Sequence, residues 1–460
     1  MSQHSRTPDV EALRLRLSEL MPGVRADLER LVRIPSVSAD AFDQSTLEVS
    51  AEAVAELLRG AGIDDVEILR VEGGRPAVVG RRPGPEGAPT VMLYAHHDVQ
   101  PPGGEQHWQT PAFEPTERDG RLYARGAADD KAGVMAHVAA LRLLGDELGV
   151  GLVVFVEGEE EIGSPTFTPF LNEYRERLAA DVIVVADSAN WKIGVPGLTT
   201  TLRGLVDGTI TVRTLGHAVH SGMYGGPVPD AMMATTRLLN SFWTEDGTLA
   251  IAGLKSGESD PLDYPEADFR ADSGLLEGVE LIGAGSLTSR IWTRPALSII
   301  GIDAPTVAQA SNTLIPEVRV KFSMRIAPGQ DPAEAFTAIE AHVRANAPFG
   351  AQVQVAQGEA GHAFQADVSG PVYDVARWAM EQAWGTAPVG IGIGGSIPFI
   401  ADLLEVYPKA TVLLTGVEDP DSRAHGANES LHLAEFERAC LAEALMLTAL
   451  GSPTPPNSEN

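Results

Sequence analysis

Glu159, Glu160 and Glu161 stand side by side in the stretch EGEEEIGS, directly after an apolar run at 152–156. Three adjacent carboxylates raise one another's pKa and cost stability unless water, a proton or a cation compensates. The run is therefore either a solvated loop or the lining of a cationic site. Four other segments carry residues of ligand type: YAHHDVQPP holds His96 and Asp98, ARGAADDKAG holds Asp129 and Asp130, VVADSANW holds Asp187, and VEDPDSRAHGANE holds His425. Taken singly, each has a plain structural reading: a surface histidine, carboxylates complementing a helix dipole, a turn aspartate, a solvated loop histidine. Taken together, they are expected to converge. Imidazoles and carboxylates without cysteine suit zinc, manganese or cobalt. His96 and Asp98 are two apart, so in extended backbone they point the same way, and a carboxylate beside a metal-bound imidazole fixes its tautomer. Two ions about 3.5–4 Å apart could share one carboxylate and hold a hydroxide between them.

The elements that would position these residues alternate. Val10–Val32 reads as a helix with Asp9 as N-cap and a kink or break at Pro22-Gly23. Strands are expected at 90–95, 151–156 and 181–186, with helices at 131–148 and 166–178 between them. That is the pattern of a mostly parallel sheet with helices on both faces. In such a sheet, ligands bind beyond the carboxyl ends of the strands, where His96, Glu159–Glu161 and Asp187 fall. From Arg203 the character changes. Half-exposed strands are expected at 206–212, 318–325 and 352–355, with helices at 230–242 and 332–346. They suggest a small α+β unit with one open sheet face. The stretch 244–293 shows no readable pattern. Buried strands return late, as at 411–414. The expected organisation is a catalytic domain, 1–200 and 361–460, interrupted by an inserted domain, 201–360.

Composition narrows the function classes. The chain of 460 residues is long for one core. A formal charge of −29 argues against nucleic acid and against an anionic membrane surface. The single cysteine, Cys440, excludes an intrachain disulfide framework and a thiolate metal cluster. The N-terminal MSQHSRTPDV lacks an apolar core of the secretory type, and no apolar run approaches membrane-spanning length. A cytoplasmic protein is the expectation.

The ordered motifs HHDVQPP, RGAADDKAG, EGEEEIGS, VVADSANW, HSGMYGG, GGSIP and AHGANES resemble the M20 family of di-metal peptidases, closest to the cytosolic non-specific dipeptidases and carnosinases. The resemblance spans His96 to His425. It implies two divalent ions per subunit, zinc first, with manganese or cobalt as alternatives. His96 and Asp187 would bind one ion, Glu161 and His425 the other, and Asp129 both, with a cis Asp129–Asp130 peptide. Glu160 would be the general base acting on the water or hydroxide between the metals, and Asp98 would orient His96. Glu159 would be solvated or support its neighbours. His220 would reach the active site of a partner subunit and stabilise the oxyanion. Arg325 would clamp the substrate carboxylate, with Thr313 and Ser396 contacting the same group. The implied enzyme is a dipeptidase that is a homodimer through the inserted lid or dimerisation domain. The alternative on the same site is an N-acyl amino acid amidohydrolase. The chain departs from the family at Ala95, often Gly, after Lys131, where Ala-Gly stands, and in AHGANE, often AHSPNE; these leave substrate preference open.

Overall fold

The apolar runs at 90–95, 151–156 and 411–414 become strands with both faces covered, as near-continuous Val/Leu sequence requires. A computed structural model of the chain describes residues 9–259, 261–395 and 398–452. The chain divides into two units with separate cores. The first runs to Thr200, resumes over Ala366–Ile391 and again from Asp402; the second comprises Thr201–Gln365 and Gly392–Ala401.

The strands of the first unit are β1 (Asp65–Leu69), β2 (Ala77–Arg82), β3 (Thr90–His96), β4 (Gly151–Glu157), β5 (Val182–Val185), β6 (Gly197–Leu202, in this unit as far as Thr200) and β7 (Thr411–Leu414). They lie in the order β1-β2-β4-β3-β5-β7-β6. The central four are parallel: β3 pairs with β4 and β5, and β5 with β7. β1, β2 and β6 are antiparallel to their neighbours. The sheet is therefore mixed and mostly parallel, as expected.

Five helices contribute to the core on one face: α1 (Val10–Val32), α2 (Ser45–Gly60), α3 (Lys131–Leu144), α4 (Pro371–Trp384) and α5 (Leu433–Leu450). Val91, Leu93 and Ala95 point into that core. Tyr94, of opposite parity, meets Phe155 and Phe167 edge-on at 5.5 and 6.2 Å. Asp9 caps α1 by accepting the Ala12 N–H. Of the kink or break expected at Pro22-Gly23, the break does not occur; α1 runs through it. Leu17 before it and Val24 and Leu28 after it are buried, and their burial at about 1.5–3 kcal/mol each outweighs a proline cost of about 3 kcal/mol. α3 ends at Leu144 rather than 148, because Gly145 leaves the helix at φ +49°.

In the second unit, four antiparallel strands lie in the order Ala296–Asp303, Glu317–Ile326, Gly204–Arg213, Gln352–Gly361. Val318, Val320, Phe322, Met324 and Ile326 share a core with helices Ala231–Asn240 and Pro332–Ala345. The alternate positions Arg319, Lys321, Ser323 and Arg325 take the other face. The stretch 244–293 contains short helices at Glu266–Ser273 and Leu287–Trp292. Among the described residues, no helix is long and apolar enough to cross a membrane.

Candidate metal centre

The four parallel strands deliver their ligand-type residues to one edge. His96 is the last residue of β3, Glu160 and Glu161 follow β4 in a single 3-10 turn, and Asp187 lies two residues beyond β5. His425 follows β7 in a loop where it adopts φ +62°. The turn after β7 approaches the turn after β5 closely: a Cβ on Gly416 would stand 1.6 Å from Ser188 O, so only glycine fits there.

Asp129 sits at the centre. Its Oδ1 is 3.0 Å from His96 Nε2 and its Oδ2 is 3.0 Å from His425 Nε2. Glu161 Oε2 is 3.2 Å from His425 Nε2, and Glu160 Oε2 is 4.0 Å from His96 Nε2. Ligand atoms of His96, Glu160 and Asp187 lie within 4.8 Å of one another, and those of His96, Asp129 and Glu161 form a second such group. The Asp129–Asp130 peptide is cis. His96, Asp129, Glu160, Glu161, Asp187 and His425 thus meet in one cluster within the first unit.

Its electrostatics show what the cluster lacks. Burial lifts Glu160 well above the usual carboxylate range, helped by Asp187. Burial, with Asp129 nearby, pushes Glu161 up to about 7; burial likewise pushes Asp187 up to about 6. Burial acts the same way on Asp129, but hydrogen bonds from His425 and His96 hold it below its ordinary value. Hydrogen bonds to Asp129 and Glu161 raise His425 to about 11. Among the described residues, no lysine or arginine pairs with these four carboxylates. A crowded set of oxygen and imidazole donors short of positive charge fits divalent cations such as zinc.

The supporting contacts go beyond the sequence expectation. His96 Nδ1 lies 3.1 Å from the Asp98 carbonyl and 3.4 Å from Asp98 Oδ1. The Asp98 carboxylate also accepts the Glu160 and Glu161 N–H groups at 3.2 and 3.1 Å, so it joins the turn after β4 to His96. Asp130 Oδ2 accepts the His96 N–H at 3.2 Å. Glu159 is buried, so of the two expectations for it solvation does not hold. Its carboxylate accepts from Arg75 N, Thr166 N and Thr166 Oγ1.

His220, Thr313 and Arg325 belong to the second unit. His220 and Thr313 face each other across a two-stranded ladder, Val219–His220 with Thr313–Leu314. His220 is exposed, and its Nδ1 accepts the Gly222 N–H at 3.0 Å. Arg325, on strand Glu317–Ile326, is opposite Leu205 and Ala296. Ser396 lies outside the described residues. Sequence reasoning gave no role to Glu418, whose carboxyl burial lifts well above its ordinary value with Asp129 and Asp187 nearby, nor to Arg125 and Glu429.

Known proteins resemble the chain in sequence and in fold. The chain is 36% identical to a cysteinylglycine-S-conjugate dipeptidase of Corynebacterium striatum over 415 residues, 88% of this chain and 90% of that protein. Its fold resembles the dipeptidase Dug1p of Saccharomyces cerevisiae, with a TM-score of 0.76 at 22% identity, covering 98% of this chain and 100% of that one. Human carnosine dipeptidase 1 gives the same TM-score, 0.76, at 23% identity, covering 97% of this chain and 100% of that one. A sequence model of Peptidase family M20/M25/M40 matches residues 92–449, most of the chain, and the protein belongs to that family.

Proposed function

We propose that the chain is a metal-dependent dipeptidase whose hydrolytic centre lies in the first unit. The observation that carries this is the Asp129 carboxylate, with one oxygen 3.0 Å from His96 and the other 3.0 Å from His425. His96 and Asp187 would hold one divalent ion, Glu161 and His425 the other, and Asp129 both. Zinc fits the donor set, and manganese or cobalt would be accepted. Such ions supply Lewis acidity and lower the pKa of water.

Glu160 is the chain's own acid–base group. Its side chain keeps 21% exposure against 8% for Asp129 and 2% for Glu161, so it is the one of the three that water reaches best. It takes a proton from the attacking water and returns it to the leaving amine. Asp98 holds it there through the Glu160 N–H. The second unit would recognise substrate: Arg325 would pair with the carboxylate, aided by Thr313 and Ser396. His220, from a second copy of the chain in a homodimer formed through the inserted domain, would stabilise the oxyanion. A dipeptide substrate is supported by the dipeptidase names of the relatives. A cytoplasmic enzyme accords with the single cysteine.

The test is hydrolysis by zinc- or manganese-loaded protein of free dipeptides and the matching N-acetylated amino acids. Release of amino acids from the dipeptides is expected, reduced about 10²–10⁴-fold in Glu160→Ala. Cleavage confined to the acylated compounds would make it an amidohydrolase instead, and equal activity in Glu160→Ala would remove that residue from the reaction.

A further inference from the structure

Glu429 closes the motif that carries His425, yet nothing above uses it. It is fully buried, and both carboxylate oxygens are filled by donors. Oε2 accepts from Arg125 Nη1 at 2.6 Å and from the Gly126 N–H at 3.0 Å. Oε1 accepts the N–H groups of Ala128 at 3.0 Å and Asp129 at 3.2 Å. The Glu429 carbonyl accepts the Ala124 N–H at 3.1 Å. The loop 124–129 is thus folded around one side chain, and its last donor is the backbone of Asp129 itself. Arg125, 1% exposed, uses its other arm to reach Gly426 O at 3.2 Å and Pro101 O at 3.4 Å. Gly426 adjoins His425, and Pro101 follows the segment at the end of β3 that holds His96 and Asp98. Gly126 adopts φ +77°, and a Cβ there would stand 2.6 Å from Val99 Cγ1, so the loop has no room to shift that way.

We propose that Glu429, together with Arg125, is the positioning residue that holds the Asp129 carboxylate between His96 and His425 and so sets the spacing of the two metal sites. The inference rests on the metal-dependent reading above. A purely structural glutamate would stabilise the loop without affecting ligand geometry. Here the donors converge from the segment that bears Asp129 and from the arginine that reaches the carbonyl beside His425. Because each oxygen receives only donors, Glu429→Gln keeps the volume but turns an NH₂ group against an N–H.

The test uses Co²⁺ as the probe on full-length, chelator-treated protein, with affinity from competition against a chromophoric chelator and geometry from the visible absorption bands. Wild type should take up two equivalents. Glu429→Gln should bind about 10- to 100-fold more weakly at one site or both, with altered bands and unchanged far-ultraviolet circular dichroism. Arg125→Lys keeps the charge but cannot reach Glu429, Gly426 and Pro101 together; it should alter the bands in the same direction, and it decides the matter if Glu429→Gln does not fold. Wild-type bands and affinity in a folded variant would overturn the positioning role alone. Failure of wild type to bind Co²⁺ would overturn the metal reading and this inference with it.

Discussion

Glu159 is 4% exposed, and each of its carboxylate oxygens is taken by protein donors: Thr166 N and Oγ1 at 2.7 and 2.6 Å, and Arg75 N at 3.1 Å. It pins the irregular segment that precedes β2 to the loop after β4. Glu159→Gln would set its amide N–H against one of these donors, and a buried donor left unpaired costs about 1–3 kcal/mol. Urea unfolding should show a loss in that range, while turnover stays far above that of Glu160→Gln, which is expected to fall about 10²–10⁴-fold. Unchanged stability, or a turnover loss matching that of Glu160→Gln, would show that the two glutamates are not divided in this way. The sequence could assign three adjacent carboxylates to different tasks only by resemblance, because their order along the chain says nothing of where the 3-10 turn points each one. Glu429 was hidden for a similar reason. Its partners lie some three hundred residues earlier, and only the juxtaposition of RGAADD with AHGANE in space makes a buried arginine and a buried glutamate into a pair.

α3 is buried around nearly its whole circumference, from Lys131 to Leu144 with only Arg142 reaching out. A polar side chain on such a helix must find partners. His137 does: its Nδ1 is 2.9 Å from both Glu443 oxygens on α5, and its Nε2 donates to Tyr94 O at 3.0 Å, two residues before His96 on β3. Both ring nitrogens therefore donate, which requires the imidazolium. Burial opposes that charge, but Glu443 outweighs it and raises His137 above its ordinary value. A raised folded pKa means that the contribution to stability is complete below the unfolded value of about 6.5 and is lost as pH rises through the folded value. The melting-temperature advantage of wild type over Glu443→Gln, both held metal-free, should be full near pH 6 and shrink above it. An advantage that grows with pH would contradict the assignment. At this scale the central strands were legible because parallel strands are apolar on both faces. β1, β2 and α2 were not foreseen. β2 ends in Arg81-Arg82, and β1 alternates Asp65, Glu67 and Val66 over only five residues, too short a signal to separate from loop. The stretch 244–293 is held by side-chain bonds such as Ser289 Oγ to Glu258 Oε2 at 2.9 Å, which leave no periodic trace.

Each unit has its own core, and every member of the carboxylate–imidazole cluster belongs to the first. The chain is already acidic, with 63 Asp and Glu against 34 Lys and Arg, so removing cations leaves Asp129, Glu160, Glu161 and Asp187 crowded in a buried space with His96 and His425 as the imidazoles beside them. Metal binding to the native state is folding free energy, and its loss should appear where the ligands are tied down. Hydrogen exchange before and after chelation should therefore show faster exchange at 96–100, 125–134 and 159–163, by about tenfold for each 1.4 kcal/mol of lost local stability. Strands Gly204–Arg213 and Glu317–Ile326, built on the second core, should keep their protection. Added sodium chloride should not restore the lost protection, because screening acts over about 8–10 Å of solvent and reaches buried charges poorly. Re-adding zinc should restore it. Equal loss in both units would show that the second core depends on the metal centre, and recovery in salt alone would mean that the carboxylates repel through water rather than through the interior.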